Sequence, residues 1–327
     1  MNDYIGLPAT FDSHTLVEWA EIVAIVDELH DFSLSEMAGL FASGQKPPTH
    51  ELELALSLVD ERAARAMSVY PFRRAGDRLL FVGTADSAEP VDPTLYTFLK
   101  IACLQYAPWV AGKQEGKVGA LFDGPACDAL VQLQGAGATG IVFGTPARKG
   151  RPTQFLEAIT WLAEQMGYPD GDKDVNPDSN DGGVDCVVWR PLSDKRTGTP
   201  VVLAQASVEY DYLSKAQKAI PVVSWTRWIK FGANPSTAFA TAHSVPPSTA
   251  WMELNDLASV VLDRMRVLEL LHEAGGVAGA AWLAEMSAFV DEQMQLLRTP
   301  DVVPDKLPRI RKPKRDRAGP YADPKAR

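Results

Sequence analysis

The chain has 327 residues, of which 46% are hydrophobic and 23% are charged, and its formal net charge is −10. This composition is typical of a globular protein, and the length exceeds that of one average domain. No run of about 18 apolar residues is present, so the sequence predicts neither a transmembrane helix nor a membrane partner. The start of the chain lacks the basic and apolar segments of a signal peptide, and three widely spaced cysteines fit a reducing compartment. We therefore expect a cytoplasmic protein.

The charge is distributed unevenly along the chain. Residues 306–327 contain nine Lys or Arg and two Asp, which gives this segment +7 and leaves about −17 for the remainder. A basic, Pro-containing segment after an acidic body is typical of a disordered arm that contacts nucleic acid or an acidic partner. A solvated extension without a partner accounts for the composition equally well. We define residues 299–327 as this tail.

The first 148 residues are predicted to be mostly helical. Apolar residues recur at helical spacing in four segments, with boundaries near 16–40, 50–70, 95–106 and 120–134. The segment YPFRRAGDRLLFV instead predicts two short strands joined at Gly76. The Gly-rich segment GAGATGIVFGTP predicts a loop with a short strand, and its glycines lack the spacing of a dinucleotide-binding loop.

Residues 149–298 are predicted to form an α/β core followed by helices. The segment PTQFLEAITWLAEQMG predicts an amphipathic helix that ends at Gly167, and an acidic loop follows it. Two β-rich runs, CVVW and PVVLA, flank the polar segment SDKRTGT and predict a β-hairpin. Further helices are expected near residues 210–218, 253–272 and 280–297.

Two polar residues lie at the open end of the predicted hairpin. Asp185 precedes the first strand, and Gln205 follows the apolar run of the second. Because the entry of one antiparallel strand lies opposite the exit of the next, we expect the two side chains to be neighbours. Carboxylate and amide oxygens are ligands of hard cations, so this edge of the sheet is a candidate metal site. A turn aspartate that accepts backbone N–H bonds is the alternative interpretation of Asp185.

The order helix, hairpin and helix, together with the segments GGVDCVVWRPLSDKRTG and VVLAQAS, resembles the core of the PD-(D/E)xK nuclease superfamily. The two segments are similar to the G-[IV]-D…Q-x-[AK] version found in restriction enzymes that read modified DNA. They also resemble a poorly characterised group associated with bacterial anti-phage gene clusters, as do VYPF, YTFLKIACL and VLDRMRVLELL. The resemblance implies a restriction-endonuclease-like α/β fold with a largely helical N-terminal region and C-terminal helices packed on the core.

The resemblance also implies a site for Mg²⁺ or Mn²⁺. Asp185 matches the family's metal-binding acid, and Gln205 matches its second ligand. Glu157 and Glu164 share one face of the preceding helix, and either could supply a further carboxylate. The alternative for both glutamates is that they lie on a solvent-exposed face of the helix and do not contribute to a metal site. In phosphodiester cleavage Mg²⁺ polarises the phosphate and lowers the pKa of the attacking water.

The resemblance also implies a lysine at the site, but the position of that lysine in this chain differs from the superfamily pattern. The superfamily's lysine normally follows the second ligand by two residues, where this chain has Ser207. Lys215 matches a later lysine of the defence-associated group and would stabilise negative charge on the phosphate. Lys218 is the second candidate for that role.

These observations leave three interpretations of function. The first is a Mg²⁺-dependent DNA endonuclease of an anti-phage defence system, with Asp185, Gln205 and Lys215 as catalytic residues and further defence subunits as partners. The second is a catalytically impaired nuclease-fold scaffold or sensor subunit that binds partner proteins or nucleic acid, which the missing proximal lysine favours. The third, a fold unrelated to nucleases, requires that the two β-rich runs do not pair.

Overall fold

The computed structural model describes residues 11–40, 46–66, 69–83, 93–104, 115–148, 150–172, 180–194, 196–273 and 280–298. Within these ranges the chain forms eleven helices and eight strands, which are arranged in two separate sheets. The expected mixed α/β class is confirmed. No helix in these ranges is long and apolar enough to cross a membrane. The predicted tail, residues 299–327, lies outside the described residues.

The N-terminal region combines helices with a small antiparallel sheet. Its elements are α1 (Ser13–Val26), β1 (Asp31–Ser33), α2 (Leu34–Leu40), α3 (Thr49–Ala66), β2 (Phe72–Ala75), β3 (Arg78–Phe81) and α4 (Thr94–Leu104). The strand order is β1–β3–β2, so the two strands predicted around Gly76 are confirmed as β2 and β3. Gly76 has a φ of 64°, a left-handed conformation that glycine adopts without steric cost in a tight turn.

The second sheet has five strands and contains the predicted hairpin. The strands and the helices between them are α5 (Glu115–Gln134), β4 (Thr139–Val142), α6 (Phe155–Met166), β5 (Cys186–Trp189), β6 (Val201–Ser207), β7 (Ser236–Thr241) and β8 (Val260–Leu262). The order is β4–β5–β6–β7–β8, in which the first three strands are antiparallel and the last three are parallel. The pairing of β5 with β6 confirms the hairpin. The sheet begins at β4, which lies upstream of the predicted core boundary near residue 148.

The remaining helices flank the second sheet and the N-terminal region. They are α7 (Tyr212–Ala216), α8 (Val222–Trp228), α9 (Thr249–Leu257), α10 (Arg264–Glu273) and α11 (Leu283–Arg298). The single long helix predicted near residues 253–272 is wrong, because β8 separates α9 from α10. Val260 and Val261 pair with β7, where their β-branched side chains are favoured. Asp263 then starts α10, since its Oδ1 accepts a hydrogen bond of 3.1 Å from the Arg266 N–H.

Alternate side chains of the hairpin pack into two different hydrophobic cores. The larger core, which includes residues of α5, α10 and the N-terminal helices, contains Cys186, Val188, Val202 and Ala204. The second core, which includes residues of α6 and α8, contains Val187, Trp189, Val201 and Leu203. Each large apolar side chain that becomes fully buried contributes about 1.5–3 kcal/mol. Both faces of the hairpin are therefore buried, and polar groups are accommodated at the strand ends.

A buried ionic cluster links the N-terminal helices to the C-terminal part of the chain. Glu21 on α1 is fully buried, and its carboxylate lies 2.6 Å from Arg62 Nη1 on α3 and 2.9 Å from Lys100 Nζ on α4. Glu18 Oε1, also on α1, lies 3.0 Å from Nη1 of Arg264 on α10. Because each charge has an opposite partner, the cluster holds these four helices together without leaving a buried charge unpaired.

Candidate functional site

Asp185 is positioned by a glycine turn directly before β5. Gly182 and Gly183 have φ angles of 61° and 76°, and Asp181 Oδ1 accepts a hydrogen bond of 2.9 Å from the Gly183 N–H. A Cβ on Gly182 would approach the Phe155 ring to 2.8 Å. Gly182 is therefore required both for the backbone conformation and for the close packing of the turn. The aspartate that serves as the local turn acceptor is Asp181.

Asp185 contacts β6 on both sides of Gln205. Its N–H donates to the Ala204 carbonyl at 2.8 Å, and its Oδ2 accepts from the Ala206 N–H at 2.8 Å. The Asp185 carboxylate thus accepts a backbone hydrogen bond from β6. Asp185 is adjacent to Gln205, as expected from the hairpin, and it is fixed at the open end of the two strands.

Gln205 is mostly buried, with 7% of its surface exposed. By strand alternation it lies on the same face as Leu203, which belongs to the second core. Its side-chain amide makes no hydrogen bond to another residue within the described ranges. The structure therefore places the backbone of Gln205 against Asp185, while the assignment of its amide oxygen as a metal ligand stays a prediction.

A second carboxylate, which the sequence analysis did not identify, lies beside Asp185. Asp123 on α5 is buried, and its Oδ2 lies 3.1 Å from the position that a Cβ on Gly144 would take. Asp185 Oδ1 lies 3.0 Å from the same position, so the two oxygens are at most about 6 Å apart. The Cys186 thiol donates to the Asp123 carbonyl at 3.3 Å, which joins this part of α5 to the start of β5.

Both carboxylates of this pair, Asp123 and Asp185, have raised pKa values. Burial is the largest cause in each case, because it disfavours the charged form. The pKa of Asp185 rises to about 6, with a contribution from Asp181 and an opposing one from the Ala206 N–H. The pKa of Asp123 is raised well above its ordinary value, and the charge of Asp185 is the second cause. The pair therefore favours a proton or another cation in its vicinity.

Gly144 leaves open the space on which the two carboxylates converge. Its N–H donates to the Asp185 carbonyl at 2.9 Å, so its backbone is fixed against β5. A Cβ at this position would lie within 3.1 Å of an oxygen of each carboxylate. Any side chain at residue 144 would therefore occupy space between the two acids.

The Asp123–Asp185 pair fits a hard divalent cation. Such cations take oxygen ligands, and a positive charge would relieve the desolvation and repulsion that raise both pKa values. The described part of the chain contains no group of three or more His, Cys, Asp or Glu residues arranged to hold a metal ion. Further ligands would come from the Gln205 amide, backbone carbonyls, water or a substrate phosphate.

Glu157 and Glu164 lie elsewhere, on the exposed side of α6. The buried side of that helix packs in the second core through Phe155, Ala158, Ile159, Leu162, Ala163 and Met166. Neither glutamate is among the groups that shift the pKa of Asp123 or Asp185. The helix that brings a carboxylate to Asp185 is α5, whereas the sequence predicted such a carboxylate on α6.

Lys215 on α7 lies close enough to influence the carboxylate pair. Its Nζ is 3.1 Å from Glu209 Oε1, and 28% of its side chain is exposed. The positive charge of Lys215 lowers the pKa of both Asp123 and Asp185, against the larger effect of burial. Lys218, the second candidate, is exposed beyond the end of α7.

No protein-family model matches the sequence, and no curated protein matches it. Among solved structures, the chain is similar to the MspJI restriction endonuclease in complex with a 27-mer oligonucleotide. The sequence identity is 12%, the TM-score is 0.31, and the match covers 67% of this chain and 41% of that chain. The chain thus spans less than half the length of that structure, and the likeness is weak.

Proposed function

We propose that this protein is a metal-dependent DNA endonuclease of a bacterial anti-phage defence system, with Mg²⁺ or Mn²⁺ held by Asp123 and Asp185. The observation that carries the proposal is the convergence of these two carboxylates on the space left by Gly144. Two desolvated acids with raised pKa values oppose folding, and such pairs are characteristic of functional sites.

Within the proposed mechanism, the chain's acids bind the cation and the cation activates the reactants. Bound Mg²⁺ would polarise a phosphate oxygen and lower the pKa of the attacking water. Asp123 and Asp185 must each lose a proton to act as ligands. We assign the helix carboxylate to Asp123 in place of Glu157 or Glu164. Gln205 is proposed as an additional oxygen ligand, because the peptide groups on both of its sides hydrogen-bond to Asp185.

Lys215 is proposed to stabilise negative charge on the phosphate. Ser207 cannot supply a cation, and its hydroxyl accepts a hydrogen bond of 3.1 Å from the Glu209 N–H. The ammonium of Lys215 is partly exposed and paired with Glu209. A phosphate bound at the carboxylate pair would compete with Glu209 for this ammonium, since charge-assisted hydrogen bonds to phosphate are strong.

DNA and further defence-system subunits are the proposed partners, in the cytoplasm. The net charge of −10 opposes DNA binding over most of the surface. The basic segment at residues 306–327 is proposed to compensate by contacting nucleic acid or an acidic partner.

The second candidate function is a catalytically impaired scaffold or sensor subunit with the same fold. Two observations favour it: Ser207 replaces the lysine expected near the second ligand, and Gln205 is almost fully buried. Such a subunit would bind partner proteins or nucleic acid without hydrolysing DNA.

The test is cleavage of plasmid and phage DNA by the purified full-length protein in Mg²⁺ or Mn²⁺. The variants are Asp123→Asn and Asp185→Asn, and Asp194→Asn is the matched control, because Asp194 is half exposed in the loop that joins β5 and β6. We expect each site variant to reduce cleavage at least about 100-fold, since each removes a metal ligand.

The control variant should cleave like the wild type. Loss of DNA cleavage in both site variants, but not in the control variant, supports the nuclease function. Absence of cleavage by the wild type, even with products of neighbouring genes added, contradicts the nuclease and leaves the scaffold or sensor function.

A further inference from the structure

We propose that the loop between β4 and α6, described at residues 143–148 and 150–154, is a phosphate-binding element that holds the DNA backbone next to the carboxylate pair, mainly through Arg148. This inference rests on the proposed function and names the part of the site that contacts the substrate. It requires a loop that lies beside Asp123 and Asp185 and that carries an accessible basic side chain.

The loop begins at the carboxylate pair itself. Phe143 and Gly144 both donate their N–H groups to the Asp185 carbonyl, at 2.7 and 2.9 Å. The following segment, TPARKGRP, contains three basic residues within four positions, in a chain whose net charge is −10. Residue 149 lies outside the described residues, and the described basic residues of this segment are Arg148 and Arg151. The sequence thus places a strongly basic segment directly after the strand that adjoins the two acids.

Arg148 is anchored to the helix that carries Asp123. Its guanidinium donates to the carbonyl of Ala120, which lies one turn before Asp123 on α5. Its Nη1 is 3.6 Å from Glu285 Oε2, a separation at which an exposed ion pair contributes little. The side chain is 34% exposed, and its charge lowers the pKa of Asp123 against the effect of burial. Arg148 therefore combines a fixed position near the pair with access to solvent.

Arg151 adds a second, mostly buried guanidinium to the loop. Only 6% of this residue is exposed, and its Nη atoms donate to the carbonyls of Pro152 and Asn180 at 3.1 and 2.7 Å. Its Nε has no hydrogen-bond partner in the described residues. Burial lowers the pKa of Arg151, and the charge of Asp181 raises it in part. The guanidinium lies 4.4 Å from the centre of the Phe143 ring. Burial of a guanidinium is costly where its compensation by an anion is only partial, so a nearby phosphate would recover part of that cost.

The two kinds of charge at this site complement a phosphodiester. A cation at the carboxylate pair and the guanidinium of Arg148 would contact different oxygens of one phosphate or of neighbouring phosphates. Guanidinium groups are well suited to this, because their N–H donors match the oxygens of a phosphate in pairs. The contact is to the backbone, so the loop would position DNA without reading its sequence.

The experiment measures binding of a fluorescent DNA duplex of about 20 base pairs as a function of salt concentration, in Ca²⁺ to favour binding over hydrolysis. It compares the wild type with Arg148→Ala and Arg148→Lys. Arg196→Ala is the matched control, because Arg196 is 85% exposed in the loop between β5 and β6. Mn²⁺ affinity and thermal stability are measured for every variant, so that a folding defect is recognised.

We expect Arg148→Ala to weaken DNA binding about fivefold to tenfold and to reduce the slope of log affinity against log salt by about one. Arg148→Lys should keep the slope, because it keeps the charge. Arg148→Lys should also bind Mn²⁺ like the wild type, because it keeps the charge that acts on Asp123. A merely structural role of Arg148 would lower thermal stability or Mn²⁺ affinity without this change of slope.

Wild-type affinity and slope in Arg148→Ala would overturn the inference, as would an equal loss in Arg196→Ala. The proposed function would survive that result if Asp185→Asn still abolished cleavage. A wild type that neither binds nor cleaves DNA would overturn both.

Discussion

At the scale of single residues, the carboxylates of Asp123 and Asp185 lie where ionisation is costly. Burial is the largest cause for both, and Lys215 relieves only part of it. A divalent cation would remove the same cost, because it places opposite charge where the two oxygens converge. Proton binding and cation binding therefore compete at this pair.

The first prediction concerns pH. Since burial raises the pKa of Asp185 to about 6 in the cation-free protein, this carboxylate is protonated below that pH and must lose its proton to bind a cation. Mn²⁺ affinity should therefore rise steeply from about pH 5 to about pH 7, with proton release on binding. Isothermal titration calorimetry in buffers of different ionisation enthalpy measures both effects. An affinity independent of pH across this range would contradict the assignment.

The second prediction concerns stability without a metal. The pKa of Asp185 rises from 3.8 to about 6 on folding, so the folded state binds the proton more tightly than the unfolded state. The resulting stabilisation is fully present below about pH 4 and is lost as pH rises through about 6. Asp185→Asn should therefore raise the free energy of unfolding by roughly 2 kcal/mol at pH 7 in chelator. Urea unfolding measures this.

The same variant provides its own control at low pH. Near pH 4 the wild-type carboxyl is already protonated, so wild type and Asp185→Asn should differ little. A variant that is less stable than the wild type at pH 7 would show that Asp185 has a structural role instead.

The third prediction concerns Gly144. A methyl group there would lie 3.0 Å from Asp185 Oδ1 and 3.1 Å from Asp123 Oδ2, so Gly144→Ala should lower Mn²⁺ affinity at least about tenfold. The backbone of Gly144 is outside the left-handed region, so alanine is compatible with its conformation. Gly119→Ala is the matched control, because its Cβ would meet no atom within 4 Å. Equal Mn²⁺ affinity in both variants would rule out this position for the cation.

At the scale of elements, the hairpin could be predicted because its signals are local. Two apolar runs and a polar connection between them specify β5 and β6, and the pairing then places Asp185 beside Gln205. The strand β8 was missed because Val260 and Val261 also fit the helical pattern of the segments around them. Whether a short apolar run of this kind forms a helix or a strand is decided by its tertiary contacts, here the pairing with β7.

The choice of helix could not be made from local signals. The helix next to the hairpin in sequence is α6, but it is inserted between β4 and β5, and its glutamates are exposed. Asp123 lies 62 positions before Asp185, and periodicity alone does not show which strand end a distant helix covers. One signal was available: Asp123 interrupts an apolar stretch, LFDGPACDALV, where a buried acid is costly unless it has a function.

At the scale of the whole molecule, the buried ionic cluster around Glu18 and Glu21 joins helices from both ends of the described chain. Burial alone would raise the pKa of Glu21, but Arg62 and Lys100 lower it below its ordinary value. Removing one cation leaves a buried carboxylate without its partner. The cluster therefore makes folding of the N-terminal helices depend on α10.

The fourth prediction follows from this dependence. Arg62→Ala should destabilise the protein by about 3–5 kcal/mol, because Glu18 and Glu21 both lose a guanidinium contact. Arg74→Ala is the control, since Arg74 forms a more exposed pair with Asp60 at 3.4 Å and should cost at most about 1 kcal/mol. Chemical denaturation followed by circular dichroism measures both. Equal stability of the two variants would contradict the structural role of the cluster.

The measurement that tests the central claim most directly is Mn²⁺ binding by wild type, Asp123→Asn and the double variant Glu157→Gln/Glu164→Gln. The Asp123–Asp185 site predicts that Asp123→Asn loses at least about tenfold in affinity, while the double variant binds like the wild type. Loss of binding in the double variant together with wild-type affinity in Asp123→Asn would contradict the site and restore the carboxylates of α6 as its ligands.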